Sequence, residues 1–304
     1  MFKTEIRVKN LPPFEGTNFY TSNTFSRAQL LRPFPQFSTF TELMRNDGYS
    51  WYNSLQSSFR ARLPDGTNLN VNYTFAKNLR QTGWMDPVKN VMYRAVYDWD
   101  KPHRFVASAI VPLPLGRGRR FLSHARGSLN RVVSGWQSTF ILQVFSGQPW
   151  QPPANVILLK DARIPIDWSQ PVVRAIKPCV IRWNNDNTIT WMQYSLDYGC
   201  TEPNWLIVPP YTAPRLLPDR DPSIRLQTVK MIDFSLSKTT RLSERWRLQF
   251  RAECFNLLNS FFDVREQFTN DPQNPNFGTV NKAAISAPNS NYPRQVQLAV
   301  KLLW

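Results

Sequence analysis

Apolar and polar residues alternate with a period of two along most of the chain, and helical periodicity is scarce. From Trp51 the odd positions read Trp51, Asn53, Leu55, Ser57, Phe59, Ala61 and Leu63, whereas the even positions read Tyr52, Ser54, Gln56, Ser58, Arg60 and Arg62. Pro64-Asp65-Gly66 follows, and Asp-Gly between two alternating runs signals a hairpin because the tight turn needs residues that tolerate positive φ. The return strand sets Thr67, Leu69, Val71, Tyr73 and Phe75 on one face and Asn68, Asn70, Asn72 and Thr74 on the other. The pattern recurs from Phe105 to Leu113, Trp136 to Val144, Ile232 to Leu236, Trp246 to Cys254 and Val296 to Trp304. A weaker run at 38–45, with Glu42 on the face of Phe40 and Met44, precedes them. About eight antiparallel strands are predicted, each near the roughly 9–11 residues that cross a bilayer at a tilt.

The connections alternate between short and long. Short turns are predicted near 64–66 and 239–243, a medium basic one at 114–130, and long segments at 78–101, 149–228 and 259–293. Short turns on one side and long loops on the other are the asymmetry of bacterial outer-membrane barrels. The aromatic positions point the same way. Trp136, Trp246 and Trp304 fall at one end of their strands and Trp51, Tyr73, Phe75 and Phe105 toward the other, all on the apolar face. A barrel needs two such girdles, one at each membrane interface. A soluble β-sandwich would explain the alternation but not the two levels.

Composition and charge narrow the function classes. Thirty-seven Lys and Arg against 21 Asp and Glu give a formal net charge of +16, a balance that attracts polyanions. The cations are nevertheless scattered singly, apart from Arg117-Gly118-Arg119-Arg120 with Arg126 and Arg131 after it, so no nucleic-acid stripe is expected. Met1 to Lys9 carries no apolar signal-peptide core, and no stretch approaches the roughly 18 apolar residues of a spanning helix. Asp98, Asp100 and His103 could hold a cation, but two carboxylates and one imidazole on a loop are a weak set, better read as loop capping and pairing with Arg104. Gly116-Arg117-Gly118 lacks the strand and helix context of a phosphate cradle. With only His103 and His124 available, an enzyme is not expected, and no catalytic residue, metal or cofactor is assigned.

Specific stretches resemble a known family. Leu30 to Phe37, Tyr52 to Gln56, Asn72 to Lys77, Asp98 to Phe105, Pro114 to Phe121, Gly135-Trp136-Gln137 and Leu248 to Asn259 are similar, in order, to the C-terminal barrel region of Oar-like TonB-dependent outer-membrane receptors of the acidobacterial type. The ending, with Val300, Leu302 and Trp304, looks like the C-terminal β-signal read by the barrel-assembly machinery, with Trp where Phe is commoner. The resemblance implies an all-β transmembrane barrel portion in the outer membrane, taking up a sugar, siderophore or peptide. It also implies a signal peptide, a regulatory-like domain and a plug, and these are not recognised here. The TonB complex would then be reached only through those parts. Residues 1–37 are expected to be an extension from a preceding barrel part and 38–304 the C-terminal barrel segment, with 149–228 its long extracellular loop.

Gln56, Arg60, Arg62, Asn70, Asn72, Arg247, Gln249, Arg251 and Glu253 are the expected lumen-lining residues. Solute contacts are expected in the loops, at Trp168, Trp183, Trp191, Trp205, Tyr194, Tyr198 and Tyr211. Cys179 and Cys200 are expected to form a disulfide, because an exported loop meets an oxidising compartment and the segment between them reads as a small hairpin. Cys254 is expected to be a free, lipid-facing thiol. The chain alone is expected to be an open barrel. A free-standing eight-stranded barrel serving as adhesin or structural protein is the alternative.

Overall fold

The computed structural model describes residues 46–86, 90–184, 186–208, 215–260, 268–281 and 293–304. The weak run at 38–45 and the extension at 1–37 lie outside the described residues. The chain divides at Gly48, and Tyr49–Trp304 forms one compact unit.

That unit starts with β1 (Tyr49–Arg62) and β2 (Asn68–Asp86). Their turn closes through the Gly66 amide donating to the Leu63 carbonyl at 3.0 Å and the Thr67 amide donating to Asp65 Oδ1 at 2.9 Å. β2 runs well past the bilayer length, and β3 (Val91–Val96) folds back along its far half. The expected loop at 78–101 is therefore mostly a protruding hairpin. Backbone pairing and the burial of Ala95 and Val96 help hold it, a patch too short to show as an apolar stripe in the sequence.

β4 (His103–Pro112) and β5 (Trp136–Phe145) continue the wall. Between them lies α1 (Gly127–Val133), a short helix that periodicity did not predict. The long loop then contributes β6 (Pro149–Trp150), β7 (Val156–Leu158), β8 (Val172–Arg174), β9 (Val180–Trp183), β10 (Ile189–Trp191), α2 (Gln193–Asp197), β11 (Trp205–Ile207) and β12 (Asp221–Arg225). β13 (Val229–Arg241) and β14 (Arg247–Phe255) return to the wall. β15 (Thr279–Asn281) belongs to the loops, and β16 (Gln295–Leu303) ends the chain.

The wall is an antiparallel sheet in the order β1-β2-β4-β5-β13-β14-β16, with β3 added on β2. Its register keeps like with like. One row runs Ala61, Leu69, Ala109, Phe140, Phe234, Cys254, Val296, and the next runs Arg62, Asn68, Ile110, Thr139, Ser235, Glu253, Gln297. Because side chains alternate across the pleat, this register makes one face almost wholly apolar and the other mostly polar. The apolar face is not covered: Phe59 is 58% exposed and Val300 69%. Among the described residues no second sheet packs on it, so the sandwich arrangement is absent and the face is left for lipid. Among the described residues β1 pairs only with β2 in the wall, and β16 only with β14. Within the described residues the sheet is open at both edges.

The buried core lies elsewhere, in the loops. Val156, Val173, Ile176, Val180, Trp205 and Phe277 are fully or nearly fully buried there. A four-stranded sheet in the order β10-β9-β11-β7 and the pairs β12-β6 and β15-β8 frame this core.

Candidate functional site

The polar wall face and the folded loops carry the residues singled out in the sequence. All nine expected lumen-lining positions share the polar face. Arg60 pairs with Asn70, Asn72 stands opposite Ser58, and Gln56 opposite Thr74. On the later strands Arg251 pairs with Ser237, Glu253 with Ser235, Gln249 with Thr239, and Arg247 with Arg241. Local bonds order several of them: Arg62 Nε donates to Asn68 Oδ1 at 3.0 Å, and Arg251 lies 3.4 Å from Glu253.

The loops at the other end from the tight turns make one folded cap. Cys179 and Cys200 are joined by a disulfide, with Cα atoms 5.5 Å apart. β9 and β10 form the hairpin between them, stabilised at its turn by Asp186 Oδ1 accepting from the Thr188 amide at 3.0 Å and from the Thr188 hydroxyl at 2.6 Å. These bonds hold the Asp186 carboxyl below the usual carboxylate range. Ser195 fixes α2 beneath the hairpin, its hydroxyl accepting from the Val180 amide at 2.9 Å and donating to the Pro178 carbonyl at 3.0 Å.

The expected loop contacts divide into core and surface. Trp205 is 3% exposed, meets Phe277 edge-on at 5.4 Å, and belongs to the core. Tyr194 is buried too, its hydroxyl donating to the Pro272 carbonyl, and burial pushes its pKa up. Neither can present a face to a ligand, which corrects the expectation for both. An amphipathic ring satisfies a small loop core as readily as a solute, and sequence alone does not separate the two. Trp168 packs against the core with its ring 6.0 Å from Phe268. Trp183 and Trp191 remain on one face of the β9–β10 hairpin beside exposed Ile189. Tyr198 is partly exposed and holds Arg174, which donates to its hydroxyl at 2.7 Å and stacks 4.4 Å from its ring. Tyr211 lies outside the described residues.

An ionic clamp ties the end of the long loop to the protruding hairpin, and pattern reasoning did not find it. Arg80 of β2 pairs with Asp98 at 2.7 Å and with Asp219, while Arg220 reaches Asp98 at 3.0 Å. Arg225 pairs with buried Asp100 at 2.7 Å and donates to the Asp100 and Gly147 carbonyls. Asp98 and Asp100 thus serve arginines of the clamp and not Arg104, which corrects the expected pairing. His103 goes elsewhere, its Nδ1 2.8 Å from the Tyr73 hydroxyl. Burial, and then the neighbouring Asp219, push the Tyr93 hydroxyl up beside this clamp.

Two further regions carry expected roles. Val300, Leu302 and Trp304 stand on the apolar face along the last strand, Trp304 with its ring 6.0 Å from Trp246. Cys254 is free and sits on the same face between Phe234 and Val296. The third long loop joins the second, for Phe268, Phe277 and β15 complete the cap core. The visible signal was Asn274-Pro275-Asn276-Phe277-Gly278, a turn with one large apolar residue. Gly278 has φ +72°, and a Cβ there would come 2.0 Å from Ile176 Cγ1, so only glycine lets this loop close on the core.

Comparison with known proteins bears on the wall. The sequence model of a family described as "Outer membrane beta barrel domain" matches residues 6–297. Neither a curated protein nor a solved structure matches the chain.

Proposed function

Because this chain belongs to the outer membrane beta-barrel domain family, we propose that it forms part of the wall of a TonB-dependent-receptor-like transporter that takes up a sugar, siderophore or peptide. The carrying observation is the division of labour within Tyr49–Trp304: an open sheet, apolar on one face and polar on the other, is joined to a disulfide-linked cap. An open sheet in lipid leaves backbone donors and acceptors unpaired at its two edges, which the bilayer does not tolerate. Closure would draw on strands beyond those described, and in this reading they complete a wide barrel with a polar interior. Trp183, Trp191 and Tyr198 would offer aromatic faces to the solute. The chain acts as a conduit and not as an enzyme. Val300, Leu302 and Trp304 would present the last strand to the barrel-assembly machinery, and coupling to TonB would come through a plug.

The test uses outer membranes isolated from cells that carry the chain. A panel of ferric siderophores, oligosaccharides and peptides is offered, and bound solute is measured. Retention of one class, lowered several-fold by Trp183→Ala together with Trp191→Ala, supports the reading. Equal retention by membranes with and without the chain, for every class, overturns uptake.

A further inference from the structure

We propose that the β4–β5 connection is an interfacial foot that binds anionic phospholipid headgroups in the leaflet on the tight-turn side of the membrane. The inference rests on the barrel reading above.

The connection is a built structure. The Leu113 amide donates to the Trp136 carbonyl at 2.8 Å across its base, and the Phe121 amide donates to Pro114 at 3.0 Å. Asn130 Oδ1 accepts from the Arg117 amide at 2.8 Å, linking the loop to α1. Gly116 has φ +104°, and a Cβ there would lie 2.7 Å from Ser134 Cβ, so loop and helix end are packed closely.

Its position against the wall decides what it meets. Trp136 Nε1 donates to the Val132 carbonyl at 3.0 Å. Lys238 Nζ donates to the carbonyls of Arg131 at 2.7 Å, Val132 at 2.5 Å and Ser134 at 2.7 Å, and stands 5.2 Å from the Trp136 ring centre. Trp136 and Lys238 share a row with Phe250 and Val300 on the apolar face. The C-terminal end of α1 is thus fastened to the lipid side of the wall, at the level where the membrane ends.

The exposed chemistry matches that place. Phe121, Leu122, Leu129 and Val132 are each more than half exposed, and Leu129 and Val132 share one helix face by their spacing of three. Arg117, Arg119, Arg120, Arg126 and Arg131 are exposed around them and form no ion pair among the described residues. No Asp or Glu occurs between Lys101 and Lys160. The carboxylate of Asp65, engaged by the amide and hydroxyl of Thr67, also feels Arg119, so it offsets part of one of the five positive charges. Apolar side chains beside a lipid face, ringed by arginines without an ion-pair partner among the described residues, fit acyl chains below and phosphates above. A dissolved polyanion would use the arginines but leave the apolar residues in water.

The test inserts the full chain into phosphatidylcholine vesicles containing a minor fraction of phosphatidylglycerol, extracts it in mild detergent and measures co-purifying lipid by mass spectrometry. The expected result is enrichment of phosphatidylglycerol over its bulk fraction, by roughly fivefold for each arginine that reaches the headgroups. Arg117→Gln, Arg119→Gln and Arg120→Gln together, which leave α1 intact, should lower the enrichment by roughly fivefold for each of the three that reached the headgroups, while hydrogen exchange in β4 and β5 stays unchanged. Adding Arg126→Gln and Arg131→Gln should bring it to parity. No enrichment with the original chain overturns the proposal, as does enrichment that survives all five substitutions. A chain that stays out of the vesicles, with its wall amides exchanging as freely as in water, defeats the barrel reading itself, and the foot with it.

Discussion

In the wall, Leu55, Phe59, Leu298 and Val300 point outward and stay more than half exposed, whereas in the cap Ile176, Val180, Trp205 and Phe277 point inward and are almost fully buried. The same residue types thus meet two different solvents. The cap finds an oil-like interior within itself, as a soluble domain does. The wall has none, since one sheet presents its apolar face to nothing in the described residues. Left in water, that face would carry a cost of roughly 25 cal/mol for each Å² of apolar surface. Lipid removes the cost without adding a protein contact. The comparison teaches that the wall and the cap should fail by different routes.

The largest expected effect is in the cap. Phe277→Ala should destabilise it by about 3–5 kcal/mol, read as faster hydrogen exchange in β9 and β11 with β5 and β13 unchanged. Equal loosening of β5 and β13 would erase the distinction between the regions. Phe140 of the wall packs against Phe234 at 4.9 Å in the middle of the apolar face. Phe140→Arg should cost about 2–4 kcal/mol of folding into lipid, measured by denaturant titration in vesicles, and should leave the cap's exchange untouched. A neutral result would mean the face is not in lipid.

More localised effects follow within the cap. Cys200→Ser should remove about 3 kcal/mol on a chain-entropy basis, confined to the 179–200 segment and seen as protease cleavage near the β9–β10 turn. Acid should act more weakly still. Hydrogen bonds from Arg163 hold the Asp161 carboxyl at about 2, below the ordinary 3.8, and Lys160 and Thr188 lower Glu202 and Asp186. Lowered folded pKa values mean that this stabilisation is present above the unfolded pKa and fades as pH falls through the folded one. Cap cleavage should therefore rise slightly from pH 3.8 down toward 2, and by little, since these groups stand in water. An equal rise in wall cleavage would contradict the assignment.

The wall was legible in the sequence because period-two alternation is a direct image of a two-faced sheet. The turn at Pro64-Asp65-Gly66, the seven strands from β1 to β16 and their common apolar face could all be read before any coordinates. The cap was not legible in this way. Its strands are mostly three or four residues long, too short to show a period, and its core joins Val156 to Phe277 across more than a hundred residues. For that reason Trp205 and Tyr194 looked like surface aromatics. The clamp stayed hidden likewise, since Arg80 and Asp219 meet across a separation of 139 residues. The Cys179–Cys200 hairpin could be anticipated only because its partners are close in sequence.

The account's central claim is that the two faces of the wall meet lipid and water respectively, and β16 allows the most direct measurement. Single cysteines placed in turn from Gln295 to Lys301, with Cys254→Ser as background, are labelled with a fluorophore in vesicles and quenched by a lipid-borne nitroxide or by aqueous iodide. The account predicts strict alternation: Val296, Leu298 and Val300 positions quenched by the lipid probe, and Gln295, Gln297, Ala299 and Lys301 positions by iodide. Uniform iodide quenching at all seven would contradict it and place the apolar face against protein or water.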